Sequence, residues 1–167
     1  SAEVLIYFIK SLNSMPAKEI MFQTKVFLKS GIGEEAYVPR ATLEYGRNVT
    51  AQASHDQAHV MLVGAVDKLL RKARISPRRI DILIVNSGVF NPTPSLASLM
   101  VRHFGLRSDI KSFHLSGMGC SASLISIDLA KRIFDSGWRR GLDGARPRYA
   151  LIVSTEVLHQ LYDGKDR

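Results

Sequence analysis

Apolar residues along the chain switch repeatedly between helical and strand spacing, and that alternation predicts an α/β protein. Met15 to Ser30 reads as an amphipathic helix. Pro16 suits its first turn, Ile20, Phe22, Val26 and Phe27 recur near helical spacing, and Gly31 can take the left-handed cap. Gly31 to Gly46, with Gly33 and Pro39 inside it, reads as a loop. A long helix is expected over Ala53 to Ala73, with Val60, Val63, Val66 and Leu70 among its apolar positions. Ser76-Pro77 restarts the chain, and Ile82-Leu83-Ile84-Val85 has the unbroken apolar run of a parallel strand covered on both faces. Asn86 to Thr93 is a loop. Thr93-Pro94 then has the look of an N-cap with proline at the first helical position, opening a helix to Phe104 that Gly105 ends.

The second part of the chain repeats the alternation. Ile110 to Leu115 reads as a strand, Gly117-Met118-Gly119 as a tight turn, and Ser121 to Phe134 as a helix. That helix carries Ala122, Leu124, Ile125, Ile127, Leu129, Ala130 and Ile133 around nearly its whole circumference, a pattern that belongs in the middle of a large core. Gly137 to Arg148 is a polar, Arg- and Gly-rich loop, and Tyr149 to Val153 is a third strand. Such alternation implies a largely parallel sheet with right-handed crossovers.

Composition narrows the class. The 167 residues are 46% apolar and 23% charged, which excludes disorder and fibrous repeats. The length suits one domain or part of a larger one, and residues 1–167 are read as a partial single domain with 137–148 as a loop insertion. The formal charge of +8 favours anionic partners: nucleic acid, acidic lipid headgroups or phosphorylated small molecules. Apolar runs such as Val60 to Val66 fall well short of the roughly 18 residues of a membrane helix, and Val4 to Ile9 is too short for a signal-peptide core. The single cysteine forbids an internal disulfide and fits a reducing compartment. The start at Ser1 and the stop at Lys165-Asp166-Arg167 read as those of a fragment. Asn48-Val49-Thr50 is a glycosylation sequon, read as a solvated turn.

The informative chemistry lies in Ser116-Gly117-Met118-Gly119-Cys120-Ser121-Ala122, between a strand and a helix. There Cys120 stands at a helix start, where free N–H groups and the helix dipole favour a thiolate and could also hold an oxyanion during acyl transfer. The bland alternative is a small buried hydrophobe. A rival reading uses the same letters: Gly117-x-Gly119-x-x-Ala122 matches a dinucleotide fingerprint. It does not open the first strand–helix unit, however, and its acidic partner is displaced to Glu156. Glu156 itself reads as structural rather than catalytic. His55-x-x-x-His59 has the spacing of a metal pair but no local third ligand, and reads as a solvated helix face. Arg71, Lys72, Arg74, Arg78 and Arg79, and then Arg139, Arg140, Arg146 and Arg148, form two basic runs with few interleaved aromatics, read as solvated surface rather than a nucleic-acid site.

These residues carry a resemblance. The chain resembles the plant 3-ketoacyl-CoA synthases, the condensing enzymes of very-long-chain fatty acid elongation. The matching segments are Lys29 to Glu35, Tyr37-Val38-Pro39, Gly64-Ala65-Val66-Asp67, Val85-Asn86, Phe90-Asn91-Pro92-Thr93-Pro94-Ser95, Gly117 to Ala122, Ile125 to Lys131, and Val153-Ser154-Thr155-Glu156. The resemblance implies a thiolase-like fold of two similar halves, of which this chain holds most of the first, with the helix after the nucleophile turn at its centre. It implies Cys120 as the nucleophile that takes a fatty acyl group from acyl-CoA before condensation with malonyl-CoA. It places Asn91, Pro92, Thr93, Pro94, Gly119 and Ser121 at the substrate site, with no metal and no cofactor.

The resemblance further implies a homodimeric parent at the endoplasmic reticulum membrane, anchored by segments upstream, and no nucleic-acid partner. It assigns a histidine and an asparagine to the second half, and none of His55, His59, His103, His114 and His159 matches that histidine. Ser116 and Ser123 depart from the family's usual glycines, and Lys165 from its usual asparagine. The other reading is a catalytically inactive fragment that acts by association with full-length subunits, through an apolar face left exposed on the helix after Cys120.

Overall fold

The computed structural model describes residues 16–31, 33, 50–138 and 149–157. The loop through residues 34–46, the sequon asparagine, the stretch 139–148 and residues 158–167 lie outside them. The elements are α1 (Ala17–Lys29), α2 (Ala51–Ala73), β1 (Ile82–Ser87), α3 (Leu96–Phe104), β2 (Lys111–Ser116), α4 (Ala122–Asp135) and β3 (Ala150–Ser154). Short 3₁₀ turns at Pro77–Arg79 and Gly119–Ser121 precede β1 and α4.

The three strands form one parallel sheet in the order β2-β1-β3, so Ile84 faces Phe113 on one side and Ile152 on the other. Every residue of central β1 is buried, which is why its sequence is an apolar run rather than an alternation. Its side chains divide by parity. Leu83 and Val85 face α2 and α3, together with Leu62, Val66, Leu96, Met100, Leu151 and Val153. Ile82 and Ile84 face α4, packing with Ala130 and Ile133.

The helices refine the expectations. The buried stripe of α2 runs Ser54, Ala58, Leu62, Val66, Leu70, one residue every turn. Val60, two residues from Leu62, therefore falls on the opposite side and is 63% exposed. At α3 the cap is Ser95, not Thr93, because it is the Ser95 hydroxyl that accepts the Ser98 N–H at 3.2 Å. Thr93-Pro94 is a cis peptide two residues ahead of the helix. Pro16 likewise sits at the N-cap of α1, and α1 buries none of its residues.

α4 differs from the all-round burial its composition implies. It buries Ala122, Ser126, Ala130 and Ile133 against the sheet, while Leu124, Ile125 and Ile127 are 72%, 41% and 58% exposed. Among the described residues the sheet and Trp138 pack against its buried side, and its other apolar face is left exposed. An apolar face of this kind favours association. Sedimentation is expected to show species larger than a monomer, shifted toward monomer by the double change Leu124→Asp and Ile127→Asp; a monomer in both proteins would remove the inference.

Two buried polar features fix the sheet. Asp81, fully buried just before β1, accepts from the Arg107 guanidinium at 2.8 Å and from the Tyr149 N–H at 3.1 Å. Arg107 also pairs with Asp109. One carboxylate thus joins the starts of β1 and β3 to the turn before β2. On the other face, the Asn86 amide donates to the Ser126 hydroxyl at 3.1 Å, and that hydroxyl donates to the Ala122 carbonyl at 2.7 Å.

Candidate active site

The parallel strands end together, and the turns that leave them meet at that edge. After β2 the chain reverses through Gly117 and Gly119, whose φ angles of 74° and 57° lie in the left-handed region that side chains disfavour. The Gly119–Ser121 turn runs straight into α4, with the Ala122 N–H donating to the carbonyls of Gly119 and Cys120. Cys120 is therefore held in the first turn of a helical run, exposed, with a free thiol. The Ser121 hydroxyl donates to the Met118 carbonyl at 2.6 Å and closes the turn on itself. Ser123, in the first turn of α4, shares a hydrogen bond of 3.1 Å with Ser154 at the end of β3.

The neighbouring turn, after β1, is organised by Glu156, just beyond β3. Glu156 accepts from the Ser87 hydroxyl at 3.0 Å and from the N–H groups of Gly88, Val89 and Phe90 at 2.6, 3.1 and 3.2 Å. Three successive amides aimed at one carboxylate form an anion-binding concavity filled by the protein's own side chain. Burial pushes the Glu156 carboxyl up, but the hydrogen bonds from Phe90, Val89, Ser87 and Gly88 outweigh it and hold the group below its ordinary 4.5. A lowered carboxyl adds stability that is fully present above pH 4.5 and lost as pH falls through its lower folded value. Thermal unfolding followed downward from pH 6 is expected to show this loss, and Glu156→Gln to flatten it; equal slopes in both proteins would show that the ionised group adds nothing.

The two turns are joined. The Gly117 N–H donates to the Gly88 carbonyl at 3.0 Å. The structure thus brings Gly119, Cys120 and Ser121 together in one exposed turn, braced by Gly88. It carries Asn91, Pro92, Thr93 and Pro94 onward from that brace toward α3. Pro94 lines a groove of about 620 Å³ between α2 and α3, with His55, His59, Ser98, Leu99, Arg102 and His103. The histidine pair is half-buried on the wall of this groove: His55 lies edge-on to Phe90 and His59 edge-on to His103, with ring centres 5.4 and 5.2 Å apart. Among the described residues no cluster of three or more His, Cys, Asp or Glu is placed to hold a metal ion. Arg71, Lys72, Arg74, Arg78 and Arg79 are exposed, as read from the sequence. The carboxylate that a dinucleotide-binding reading would require is engaged with the Ser87–Phe90 segment, and the glycine turn follows the second strand, not the first.

Solved structures share this fold. A fungal type III polyketide synthase, ORAS, superposes with a TM-score of 0.52 at 21% identity, covering 61% of this chain and 26% of that one. CsyB, solved in complex with CoA-SH, gives 0.54 at 20% identity, covering 64% and 27%. The parallel sheet and its helical layers give the chain a thiolase-like α/β fold. Sequence comparison narrows the class. The chain matches the family described as FAE1/Type III polyketide synthase-like protein over residues 1–167, and it belongs to that family. It is 41% identical over 159 residues to 3-ketoacyl-CoA synthase 11 of Arabidopsis thaliana, covering 95% of this chain and 30% of that protein. It is 46% identical over 149 residues to 3-ketoacyl-CoA synthase 16 of the same plant, covering 87% and 28%. The chain thus spans less than a third of the length of these relatives.

Proposed function

We propose that this chain carries the nucleophile segment of a 3-ketoacyl-CoA synthase, with Cys120 as the residue that accepts the acyl group. The observation that carries the reading is the placement of the thiol: exposed, on a glycine-flanked turn, in the first turn of a helical run. The Cys120 sulfur attacks the acyl-CoA carbonyl. A carbon–sulfur bond to Cys120 forms, the bond to CoA breaks, and CoA leaves as its thiol with the proton that Cys120 gives up. Malonyl-CoA then loses CO2, and the resulting carbanion attacks the thioester, releasing 3-ketoacyl-CoA and regenerating the Cys120 thiolate.

Gly119 and Ser121 shape the turn that presents the acyl group, and Asn91, Pro92, Thr93 and Pro94 shape the approach to it. Condensation also draws on a histidine and an asparagine that the family resemblance assigns to the second half of the fold. The whole enzyme is a homodimer at the endoplasmic reticulum membrane; the described residues hold no helix long and apolar enough to cross a membrane. The acylation step is tested by release of CoA. Mixing the protein with a long-chain acyl-CoA is expected to give a burst of free CoA stoichiometric with protein, absent from Cys120→Ala. A burst of equal size in Cys120→Ala would overturn the assignment. No burst in either protein would favour a role through association alone, for which the exposed face of α4 is the supporting observation.

A further inference from the structure

The geometry points to Glu156 as a positioning residue for the Cys120 turn, acting through Gly88. This rests on the proposed role of Cys120 and adds a residue to it. Glu156 lies just beyond β3, where the Thr155 N–H still donates to the Asn86 carbonyl at 3.0 Å. The register of the sheet therefore delivers its carboxylate to the end of β1. There it gathers the Gly88, Val89 and Phe90 N–H groups and the Ser87 hydroxyl.

Gly88 is the link. On one side its N–H donates to the carboxylate; on the other its carbonyl accepts the Gly117 N–H. It is wedged between the two partners: a Cβ built at residue 88 would lie 2.6 Å from Glu156 Oε2 and 3.4 Å from Gly119 Cα. An added methyl could be relieved by moving the carboxylate, but that carboxylate is held by five donors, the Val157 N–H being the fifth. The chain of contact runs from Glu156 through Gly88 to Gly117 and Gly119, the residues that aim Cys120. A residue that merely satisfied the amides of its own loop would not control the neighbouring turn.

The test reads the Gly117 amide directly, by hydrogen exchange, and in parallel the CoA burst on mixing with long-chain acyl-CoA. Glu156→Ala leaves an open concavity of three amides, large enough for formate. Gly117 exchange is expected to rise about tenfold in Glu156→Ala, the factor that corresponds to one lost hydrogen bond. Sodium formate is expected to reverse the rise and sodium chloride to leave it. Gly88→Ala, which displaces the same carboxylate, is expected to raise Gly117 exchange without formate rescue. The burst is expected to slow in each variant and to recover with formate in Glu156→Ala.

Wild-type exchange at Gly117 in folded Glu156→Ala and Gly88→Ala would overturn the inference, whatever the burst does. Exchange that follows the expected pattern with no burst even in the wild type would instead remove the role of Cys120 and leave the coupling standing. Should Glu156→Ala fail to fold, Ser87→Ala and Glu156→Gln carry the test. Exchange at Gly117 should then rise from wild type to Ser87→Ala to Glu156→Gln, and equal rates in all three would overturn the coupling.

Discussion

Cys120→Ser is expected to slow acyl transfer by at least about three orders of magnitude while leaving the fold intact. The thiol reacts as thiolate, and a free cysteine near neutral pH already has a few per cent in that form. A serine hydroxyl has essentially none, and no histidine or carboxylate is hydrogen-bonded to residue 120 among the described residues to act as its base. The substitution is nearly isosteric at an exposed position, so unfolding midpoints should agree within the roughly 0.5 kcal/mol typical of surface changes. The rate of CoA release, measured beside a denaturation curve, separates the two effects. A serine variant that transfers acyl groups at the wild-type rate would move the nucleophile elsewhere.

Arg107→Ala is expected to be the most damaging substitution for stability, at about 3 kcal/mol. Asp81 is fully buried, and the Arg107 side chain opposite it is only 20% exposed. Removing the guanidinium leaves a buried carboxylate with the Tyr149 N–H as a remaining partner, and the cost of an uncompensated buried charge exceeds that of a lost surface pair. The retained N–H places the expected loss toward the low end of the range for broken buried pairs. The bidentate pair Arg107–Asp109 is the more solvated of the two, with Asp109 37% exposed, and its loss leaves no buried charge unpaired. Denaturant unfolding of Arg107→Ala and of Asp109→Ala makes the comparison: the first should lose several times more stability than the second. Equal losses would show that Asp81 is solvated in practice.

How far the sequence discloses the fold depends on whether the information is local. β1 was legible because burial on both faces leaves an unbroken apolar run. The turn at Cys120 was legible because two glycines between a strand and a helix have few other uses. Thr93 reads as the helix cap in place of Ser95 because several hydroxyl and proline residues crowd that loop, and only the Ser95–Ser98 hydrogen bond settles which one caps. Val60 is apolar like the residues of the buried stripe, and only the core's contact with one side of α2 leaves it exposed. The roles of Glu156, Asp81 and Arg107 were not legible. Each depends on partners far away in sequence, Glu156 lying 68 residues from Gly88 and Arg107 lying 26 from Asp81. Only the parallel register brings those partners together. The His55, His59 and His103 groove was missed for the same reason, since two helices supply it.

The most direct measurement is peptide mapping by mass spectrometry after brief exposure of the chain to a long-chain acyl-CoA. Cys120 as the nucleophile requires one acyl adduct, on the peptide that contains it, labile to hydroxylamine as a thioester is. An adduct that maps instead to Ser116, Ser121 or another residue, or a folded chain that stays unmodified, would contradict it.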